Sequence, residues 1–261
     1  MCGDVTNFPE LMEALGKHEV KSVVHAAAIL PPYSERRPHQ SLLVNVLGTF
    51  NVLEAARLMN LRRVSYVSSG AVYGTHCDKC QEDSPIPLQL GFGLYGPAKA
   101  SCELVGLKYS ELYDVSFVSV RNAAIYGPGV TSPHYLNILV SDALAGKKMV
   151  LERGADHRFE FIHVKDAVAG IRMIHTAEDL KYRLYNLGTG QSQRLKEVAA
   201  EIRKIILQAD ISLGPGLLED LPQRPPFDIS RIRELGYAPR FNLDRGLKEF
   251  VDSCRRMNQA H

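Results

Sequence analysis

The sequence predicts an α/β protein built on a doubly wound parallel β-sheet, with helices covering both faces. Three observations carry this prediction. Short runs rich in β-branched residues alternate with longer amphipathic runs in the first half of the 261-residue chain. The short runs are almost continuously apolar, as strands are when both of their faces are buried. Each long run separates two short ones, which is the spacing of strand–helix–strand units.

The elements follow one another in a regular order in the first half. Val20–Ala28 is a predicted strand that ends in small residues, and Leu42–Met59 is a long and largely apolar predicted helix. Arg63–Ser69 is the second predicted strand, Leu94–Tyr113 is the second long helix, and Val115–Arg121 is the third strand. Ligands of parallel sheets bind at the carboxyl ends of the strands. We therefore expect the ends of these three strands to line one crevice.

The rhythm of the sequence changes after Gly127, where Gly and Pro residues interrupt it. The predicted elements beyond that point are the helix Leu136–Ala145, the strand Phe159–His163, the helix Lys165–Ala177, the strand Leu184–Leu187 and the helices Leu195–Leu207 and Leu243–Met257. This order predicts a smaller lobe over residues 128–261, interleaved with the last part of the sheet. Residues 1–127 are predicted to hold the main part of the sheet.

The composition excludes several classes of partner. Lys and Arg number 31 against 29 Asp and Glu, so the net charge of +2 predicts no binding to nucleic acid or to an anionic membrane surface. No run of residues is expected to reach the ~20 apolar residues that span a bilayer. The first residues lack the basic and apolar stretches of a secretory signal, so a cytoplasmic location is expected.

Cysteine usage argues against a disulfide framework, because the five cysteines are odd in number and scattered. Cys77 and Cys80 have the spacing of half a zinc site, but no second pair and no clustered histidines follow at the usual distance. We therefore predict no metal. A structural zinc protein built on this pair stays open as an alternative that metal analysis would test.

A candidate proton-transfer site lies at the start of the second long helix. Tyr95 and Lys99 are four residues apart, so their side chains share one face of the helix. A Lys ammonium beside a phenol favours the phenolate, and lowering the Tyr95 pKa by ~3 units would make it a usable base near neutral pH. Ser69, at a strand end, could hydrogen-bond the same substrate oxygen. These three residues predict chemistry on a hydroxyl or carbonyl carbon.

Two histidines and one acid in apolar surroundings are interpreted as structural residues rather than as catalysts or metal ligands. His25 and His163 both lie in predicted strands, and we expect hydrogen-bonded structural histidines rather than bases or metal ligands. Asp166 opens a predicted helix, where a carboxylate complements the helix dipole, and we expect it to act as a first-turn charge.

The ordered motifs resemble those of the extended short-chain dehydrogenases/reductases, the NAD-dependent epimerase/dehydratase family, over the whole chain. The matching segments are Asp4-Val5, residues 25–28 (HAAA), 45–49 (NVLGT), 68–74 (SSGAVYG), Tyr95 with Lys99, 125–128 (IYGP), 161–166 (FIHVKD), 185–190 (YNLGTG), 235–239 (LGYAP) and 243–247 (LDRGL). Each motif alone is weak, but their common order is specific.

The resemblance implies a Rossmann-like fold, NAD as cofactor with NADP not excluded, and a role for each site residue. Ser69 would polarise the substrate oxygen, Tyr95 would move its proton, and Lys99 would lower the Tyr95 pKa and bind the nicotinamide ribose. Arg224 would join Ser69 and Tyr95 in binding substrate. The implied cofactor-binding residues are Asp4, Val5, Ala26, Ala27, Ala28, Ile29, Leu30, Ser69, Tyr95, Lys99 and Ala123.

The sequence departs from the family pattern at its start. The family opens with a strand, a GxxGxxG turn and a helix that holds the pyrophosphate. Nothing similar precedes Asp4 in this sequence. We therefore expect the first βαβ unit to be missing, together with the acid that separates NAD from NADP. We also expect this chain alone to bind a dinucleotide poorly.

The sequence also departs from the family on the substrate side. Gly70-Ala71 stands where the 4,6-dehydratases carry Asp-Glu, which argues against dehydration. Ala124 and Phe159 stand where the family's epimerases carry an Asn and an Arg that contact the diphosphate, with Arg158 one residue away. For Arg224 a solvated loop arginine remains an equal alternative. The substrate is therefore left as a nucleotide sugar or a simpler hydroxyl compound.

Two functional hypotheses follow. The first is a nicotinamide-dependent oxidoreductase or epimerase that acts on a sugar or sugar-like small molecule. The second is a catalytically idle relative that serves as a binding or regulatory protein. The resemblance also implies a homodimer through the helices Leu42–Met59 and Leu94–Tyr113.

Overall fold

The computed structural model describes residues 3–74, 77–130, 132–219, 221 and 223–259. The chain divides into two compact units, each discontinuous in sequence. Unit 1 comprises Met1–Gly74, Glu82–Asn122 and Ile171–Asn186; unit 2 comprises Thr75–Gln81, Ala123–Gly170 and Leu187–His261. The assignment of cofactor binding to residues 1–127 and of substrate binding to residues 128–261 stays a prediction.

The secondary structure alternates between strands and helices along most of the described chain. The strands are β1 (Ser22–His25), β2 (Arg63–Ser69), β3 (Phe117–Asn122), β4 (Ala124–Tyr126), β5 (Met149–Leu151), β6 (Arg158–Phe159), β7 (Phe161–His163), β8 (Leu184–Leu187), β9 (Gln193–Arg194) and β10 (Ile211–Leu213). The helices are α1 (Phe8–Lys17), α2 (Tyr33–Arg36), α3 (Pro38–Leu42), α4 (Gly48–Met59), α5 (Tyr95–Tyr113), α6 (Tyr135–Leu144), α7 (Val164–Thr176), α8 (Leu195–Ile205), α9 (Ser230–Glu234) and α10 (Leu243–Gln259). A π-helical turn, Leu43–Leu47, joins α3 to α4.

A four-stranded sheet in the order β1-β2-β3-β8 forms the centre of the fold. The pairs β1–β2 and β2–β3 are parallel. The predicted α/β class with a parallel central sheet is confirmed. The strand predicted over Arg63–Ser69 coincides with β2.

Several boundaries differ from the prediction for identifiable reasons. β1 stops at His25 rather than Ala28, because the residues after it leave the sheet and bind Asn45 instead. The predicted strand Phe159–His163 divides at Glu160, so that β6 pairs with β9 in antiparallel fashion and β7 pairs with β4 in parallel fashion. The carbonyl of Glu160 accepts a hydrogen bond from Ala124 N at 3.0 Å.

Helix α1 and three three-residue strands were not predicted. The start of α1 carries ordinary signals that could have revealed it: Asn7 caps the helix by accepting from Glu10 N, and Pro9 stands in its first turn. β4, β5 and β10 are too short for an alternating pattern to be read from the sequence.

The core of unit 1 lies between the sheet and the helices α1, α4 and α5. Tyr66 is fully buried there and stacks against Phe117 at a ring distance of 6.1 Å. Gly106 lets the Phe117 ring approach α5, because a Cβ at this glycine would lie 2.4 Å from the ring. Burial of such side chains stabilises the unit by ~1.5–3 kcal/mol each.

The core of unit 2 is a separate cluster built from α6, α8, α10 and the strands around them. Leu136 and Leu139 of α6, Val198 of α8 and Leu247 of α10 are all fully buried. Tyr126 and Phe161 close this cluster with an edge-to-face contact at 6.3 Å. The apolar stripes of these helices explain why α6, α8 and α10 were predictable.

One helical segment among the described residues, Pro38–Met59, is long and apolar enough to cross a membrane by length and composition alone. It has 22 residues, and its most apolar window has a mean hydropathy of 1.3. This corrects the expectation that no segment reaches that length. Val52 and Leu53 lie in the core of unit 1, and buried Asn45 hydrogen-bonds within the same unit. These contacts are those of a core helix.

Candidate active site

Ser69 lies at the carboxyl end of β2, where the strand turns into a single 3-10 turn over Gly70–Tyr73. The backbone of Ser69 is extended, and its Oγ accepts from Ala71 N at 3.2 Å. The hydroxyl therefore caps the turn at the end of a buried strand, as expected for a group that faces a ligand beyond the sheet.

Tyr95 and Lys99 occupy the first turns of α5, and both are buried. The hydroxyl of Ser69 is close enough to Tyr95 to act on its pKa as a hydrogen-bond partner. Lys99 Nζ lies 5.6 Å from the Tyr95 ring centroid and donates to Val67 O at 2.7 Å. The structure thus brings the three predicted catalytic residues together within unit 1.

The start of α5 sits close against the preceding loop because residue 96 is a glycine. A Cβ there would lie 2.4 Å from the carbonyl oxygen of Gly91. The close approach fixes the helix end that carries Tyr95, and any side chain at position 96 would force the loop or the helix to move.

The expected lowering of the Tyr95 pKa is wrong for this structure. Burial raises the pKa of Tyr95 to about 12, and the interaction with Ser69 only partly opposes it. Burial also lowers the pKa of Lys99 to about 8, with Cys102 and Glu103 acting in the opposite direction. The Lys99 ammonium points to the Val67 carbonyl and lies 4.5 Å from the Tyr66 ring centroid, so the Tyr95 oxygen is not its partner.

The loop after β1 carries five of the predicted cofactor-binding residues, Ala26 to Leu30. Ala26 and Ala27 are exposed. Asn45 fixes the loop by bonding both backbone groups of Ile29: its Oδ1 accepts from Ile29 N at 2.7 Å, and its Nδ2 donates to Ile29 O at 2.9 Å. Asn45 stands in the π-helical turn, a conformation that often marks functional sites.

His25 is a structural histidine, in line with the expectation for it. Its Nε2 lies 3.0 Å from Thr49 Oγ1, and that hydroxyl donates to Asn45 O at 2.8 Å. Since the single hydroxyl proton of Thr49 is used, the histidine must donate through Nε2. Burial, together with the charge of Lys99, lowers the pKa of His25 to about 4, so the ring is neutral at physiological pH.

Asp4 and Val5 have local partners in unit 1. The exposed Asp4 carboxylate accepts from the backbone and hydroxyl of Thr6, at 2.9 and 2.8 Å, and these bonds hold the Asp4 pKa below its usual value. Val5 packs against Gly48, where a Cβ would come within 2.6 Å of its side chain. A cofactor contact for either residue stays a prediction.

A buried ion pair supports α5 from the adjacent strand. Glu103 lies one turn beyond Lys99, and its carboxylate binds Arg121 of β3 at 2.7 Å. Ser119 Oγ adds a bond to the same carboxylate at 2.8 Å. Because both charges are almost fully buried, removal of either partner would leave an uncompensated charge in the core. The pair therefore anchors the helix that carries Tyr95 and Lys99.

Unit 2 holds the other predicted ligand residues. Arg224 is half-buried, and burial lowers its pKa while the nearby sulfurs of Cys80 and Cys77 oppose the shift. It is therefore not a freely solvated loop arginine. Ala123 is buried and its N donates to Leu187 O at 2.9 Å.

Glu160 joins two loops of unit 2, one of which carries Arg224. Its Oε1 accepts from Thr189 N and Gly190 N at 2.6 and 2.7 Å, and its Oε2 accepts from Phe227 N at 2.7 Å. Burial raises the pKa of this carboxyl, and the three backbone bonds oppose the shift. Two loops distant in sequence, 188–190 and 224–228, are thus joined through one carboxylate.

Aromatic rings fill the place where the family pattern has an arginine. Phe159 lies 4.6 Å from His157, 5.7 Å from Tyr135 and 5.5 Å from Phe161, measured between ring centroids. The neighbouring Arg158 donates through Nη1 to Ser192 O at 3.2 Å. These contacts explain how unit 2 tolerates the departure without an unpaired charge.

The Cys77 and Cys80 sulfurs lie 2.7 Å apart as free thiols. Within the described ranges, no group of three or more His, Cys, Asp or Glu side chains is arranged around a possible metal ion. The prediction of no metal still requires a metal analysis.

Sequence reasoning assigned no role to several residues of these sites. Asn45 and Glu160 are examples, and each is a buried polar side chain that bonds backbone groups of another segment. A polar residue inside an apolar predicted helix is a signal that could have identified Asn45. His163 is hydrogen-bonded as expected, because its Nδ1 accepts from Lys165 N at 3.4 Å. Its Nε2 makes no hydrogen bond among the described residues and lies 3.9 Å from Glu249 Oε2, and its ring stacks on Phe241 at 4.0 Å. Asp166 lies in the first turn of α7 as expected, and it is buried there and accepts from Arg240 N and Phe241 N.

The chain belongs to the NAD-dependent epimerase/dehydratase family, whose profile matches residues 1–188. It is 31% identical over 261 residues to a UDP-glucose 4-epimerase of Mycolicibacterium smegmatis, covering 96% of this chain and 81% of that protein. The predicted membership and the family's NAD dependence are therefore confirmed.

Solved structures support the same fold. The structure of MoeE5 in complex with UDP-glucose and NAD superposes with a TM-score of 0.86 at 25% identity, covering 99% of this chain and 86% of the other. An L-threonine dehydrogenase from Phytophthora infestans superposes with a TM-score of 0.84 at 24% identity, covering 98% and 85%.

Proposed function

We propose that this protein is a nicotinamide-dependent oxidoreductase or epimerase that acts on a hydroxyl or carbonyl carbon of a sugar, with nucleotide sugars as the first candidates. The observation that carries the proposal is the cluster of Ser69, Tyr95 and Lys99 at the carboxyl end of a buried parallel strand. Its polar groups are held by the strand turn and by the first turns of α5.

The residues present fit the nicotinamide half of a dinucleotide. Ala26 and Ala27 leave their backbone accessible at the end of β1, and Asn45 holds Ile29 rigid behind them. Lys99 offers a cation for ribose hydroxyls at the start of α5. On this proposal Ala26 to Leu30, Ser69, Tyr95 and Lys99 hold the cofactor, with Asp4, Val5 and Ala123 as the further contacts that the family resemblance implies.

The proton steps follow from these groups. Ser69 donates a hydrogen bond to the substrate oxygen, and Tyr95 takes the hydroxyl proton as the carbon loses its hydride. A nicotinamide bound in its oxidised form would supply the hydride acceptor and would add a positive charge to the site. A phenol whose pKa is about 12 needs such a charge, because Lys99 alone does not bring it near neutrality.

Residues of unit 2 are the proposed contacts for the part of the substrate away from the reacting carbon. A UDP-glucose 4-epimerase is among the relatives and a UDP-glucose complex is among the similar structures. We propose that half-buried Arg224 contacts a diphosphate, since a guanidinium matches two phosphate oxygens. Phe159 and Ala124 remove two polar contacts of the family pattern, so weaker binding of the nucleotide is expected. An L-threonine dehydrogenase among the similar structures keeps a simpler hydroxyl compound as the alternative.

Calorimetry with NAD and NADP, followed by an assay of UDP-glucose and UDP-galactose interconversion, tests this proposal. Weak but measurable binding of NAD, in line with the expectation from the sequence, together with turnover of either sugar is the expected result. Binding of NAD without turnover of any sugar or small alcohol would favour the idle relative as a binding or regulatory protein. Failure of both dinucleotides to bind would overturn the catalytic roles of Ser69, Tyr95 and Lys99.

We also propose a homodimer in the cytoplasm. Large apolar side chains on α4 and α5, namely Leu58, Leu104 and Leu112, are 52 to 64% exposed, and such a surface on two neighbouring helices suits a second copy of the chain.

A further inference from the structure

The side chain of Asn122 lies beside Ser69 at the end of the sheet. Asn122 is the last residue of β3, and its partner in the neighbouring parallel strand is Ser69. Residues paired across neighbouring strands point to the same face of a sheet. The amide and the Ser69 hydroxyl are therefore neighbours on one face, at the strand ends where ligands of parallel sheets bind.

The orientation of this amide is fixed by its surroundings. Nδ2 lies 3.2 Å from Ser68 O and 3.1 Å from Val120 O. Backbone carbonyls only accept hydrogen bonds, so the group that faces them must be the NH₂ and not the oxygen. Both protons of Nδ2 are used in these two bonds, and the amide cannot turn over without losing both of them.

The other end of the amide is a buried acceptor without a partner in the described part of the chain. Asn122 is only 7% exposed, and its Oδ1 has no donor within hydrogen-bonding distance among the described residues. An unpaired buried acceptor costs free energy that an apolar residue at the same place would not incur. The arrangement has the character of a preorganised binding group rather than of a structural one.

We propose that Asn122 Oδ1 is a specificity-determining acceptor for a neutral N–H or O–H donor of the bound ligands. This inference rests on the proposed function. Two donors have this chemistry: the carboxamide N–H of the nicotinamide and a hydroxyl of the substrate. Ser69 and Tyr95 serve the reacting oxygen, so Asn122 would select a group next to the reaction centre and not the reacting one.

The test pairs a deletion on the protein with a deletion on the ligand. Calorimetric dissociation constants and thermal shifts are measured for the wild type and for Asn122→Ala, with NAD and with acetylpyridine adenine dinucleotide, which keeps the carbonyl and lacks the N–H. A second arm uses UDP-glucose and its single-deoxy analogues in the presence of NAD. For each protein, the dissociation constant of the complete ligand is divided by that of its analogue. The structural cost of losing the two bonds to Ser68 O and Val120 O affects both ligands equally and therefore cancels in this ratio.

The expected result is a wild-type preference for the complete ligand that is about five- to tenfold larger than the preference of Asn122→Ala. A preference in the cofactor arm assigns the carboxamide as the donor, and one in the deoxysugar arm assigns a hydroxyl. Equal ratios in both arms would overturn the inference while leaving the proposed function in place. If neither dinucleotide binds the wild type, the proposed function and this inference fail together.

If Asn122→Ala does not fold, the ligand preferences of the wild type alone still test the proposal. The wild type alone must then bind NAD at least fivefold more tightly than the acetylpyridine analogue, or UDP-glucose more tightly than one deoxy analogue. Absence of both preferences in the wild type would be enough to reject the acceptor role of Asn122. Asn51→Ala, a change of another asparagine of unit 1 whose amide bonds Val5 O and Thr6 O, serves as the matched control for the ratio of affinities. A displacement of Val5 would weaken the binding of NAD and of its acetylpyridine analogue equally, so the ratio of their affinities should stay at the wild-type value.

Discussion

The two units hold their buried polar side chains in different places, at the ends of strands and helices in unit 1 and between loops in unit 2. In unit 1, Ser69, Tyr95 and Lys99 stand at strand and helix ends, and each follows the family pattern. In unit 2, Glu160 joins loops through backbone N–H groups, and aromatic rings surround the position where the family pattern has a cation. The comparison teaches that the proposed proton-transfer residues of unit 1 keep the family pattern, whereas unit 2 departs from it at Phe159 and Ala124.

The largest effect is expected from Tyr95→Phe, which removes the proposed proton-transfer group of unit 1. The ring volume is kept, so the fold should survive, while the turnover number should fall about a thousandfold because one positioned acid–base group is lost. NAD binding should change by less than a few-fold. Steady-state kinetics and calorimetry measure the two quantities.

Tyr113→Phe is the control for that change, since Tyr113 is exposed at the far end of the same helix. Its turnover should match the wild type. A Tyr95→Phe enzyme that keeps more than a tenth of the activity would show that another group moves the proton.

Arg224→Ala should weaken binding of the substrate without weakening binding of the cofactor. Loss of a charged hydrogen bond to a phosphate corresponds to about 10- to 100-fold in KM for a nucleotide sugar, with little change in NAD affinity. Arg233→Ala on α9 is the matched control, because Arg233 is exposed in the same unit. An unchanged KM for Arg224→Ala would favour a substrate without a diphosphate.

The exposed apolar side chains of unit 1 are expected to contribute to a dimer, whereas an exposed leucine of unit 2 is not. Leu104→Glu puts a charge into the proposed dimer surface on α5, and the dimer dissociation constant should rise at least tenfold. Leu207→Glu changes an even more exposed leucine of unit 2 and should leave the dimer intact. Analytical ultracentrifugation measures both. A wild type that is a monomer at every concentration would remove this proposal.

The smallest effect concerns stability. The folded-state pKa of Lys99 is about 8, below its ordinary value of 10.5, so the unfolded chain holds more protons between these values. The free energy of unfolding should therefore rise with pH in that window, by about 1 kcal/mol from pH 8 to pH 9 for this group. Below pH 8 the full cost of burying the charge is present.

Lys99→Met should lack this rise, and denaturant titrations at both pH values measure the difference. Lys108→Met, which changes an exposed lysine on the same helix, should behave as the wild type does. Equal pH dependence in the wild type and in Lys99→Met would mean that the lysine is not buried as described.

Most of the fold that carries the site could be predicted from the sequence, because its strands and helices are long enough to show a period. β2, α5, α8 and α10 are examples, whereas the three-residue strands β4, β5 and β10 carry no periodic signal. The shared helix face of Tyr95 and Lys99 was predictable from their spacing, and their place beside Ser69 followed from the family resemblance. The direction of the Tyr95 pKa was not, because it depends on where the Lys99 ammonium finds its acceptor, and spacing along a helix does not determine this.

Unit 1 is completed by a late segment of the chain, and this has a consequence for biosynthesis. The buried guanidinium of Arg63, at the start of β2, donates to the carbonyls of Ile174, His175 and Ala177. A nascent chain that has emerged only as far as Asn122 has none of these acceptors, and β8 is also still missing. N-terminal domains usually fold on the ribosome before the next domain is made. Unit 1 cannot fold completely in this order, because part of it is translated after most of the first half of unit 2. Unit 1 should become protease-resistant only after residue 186 has been translated.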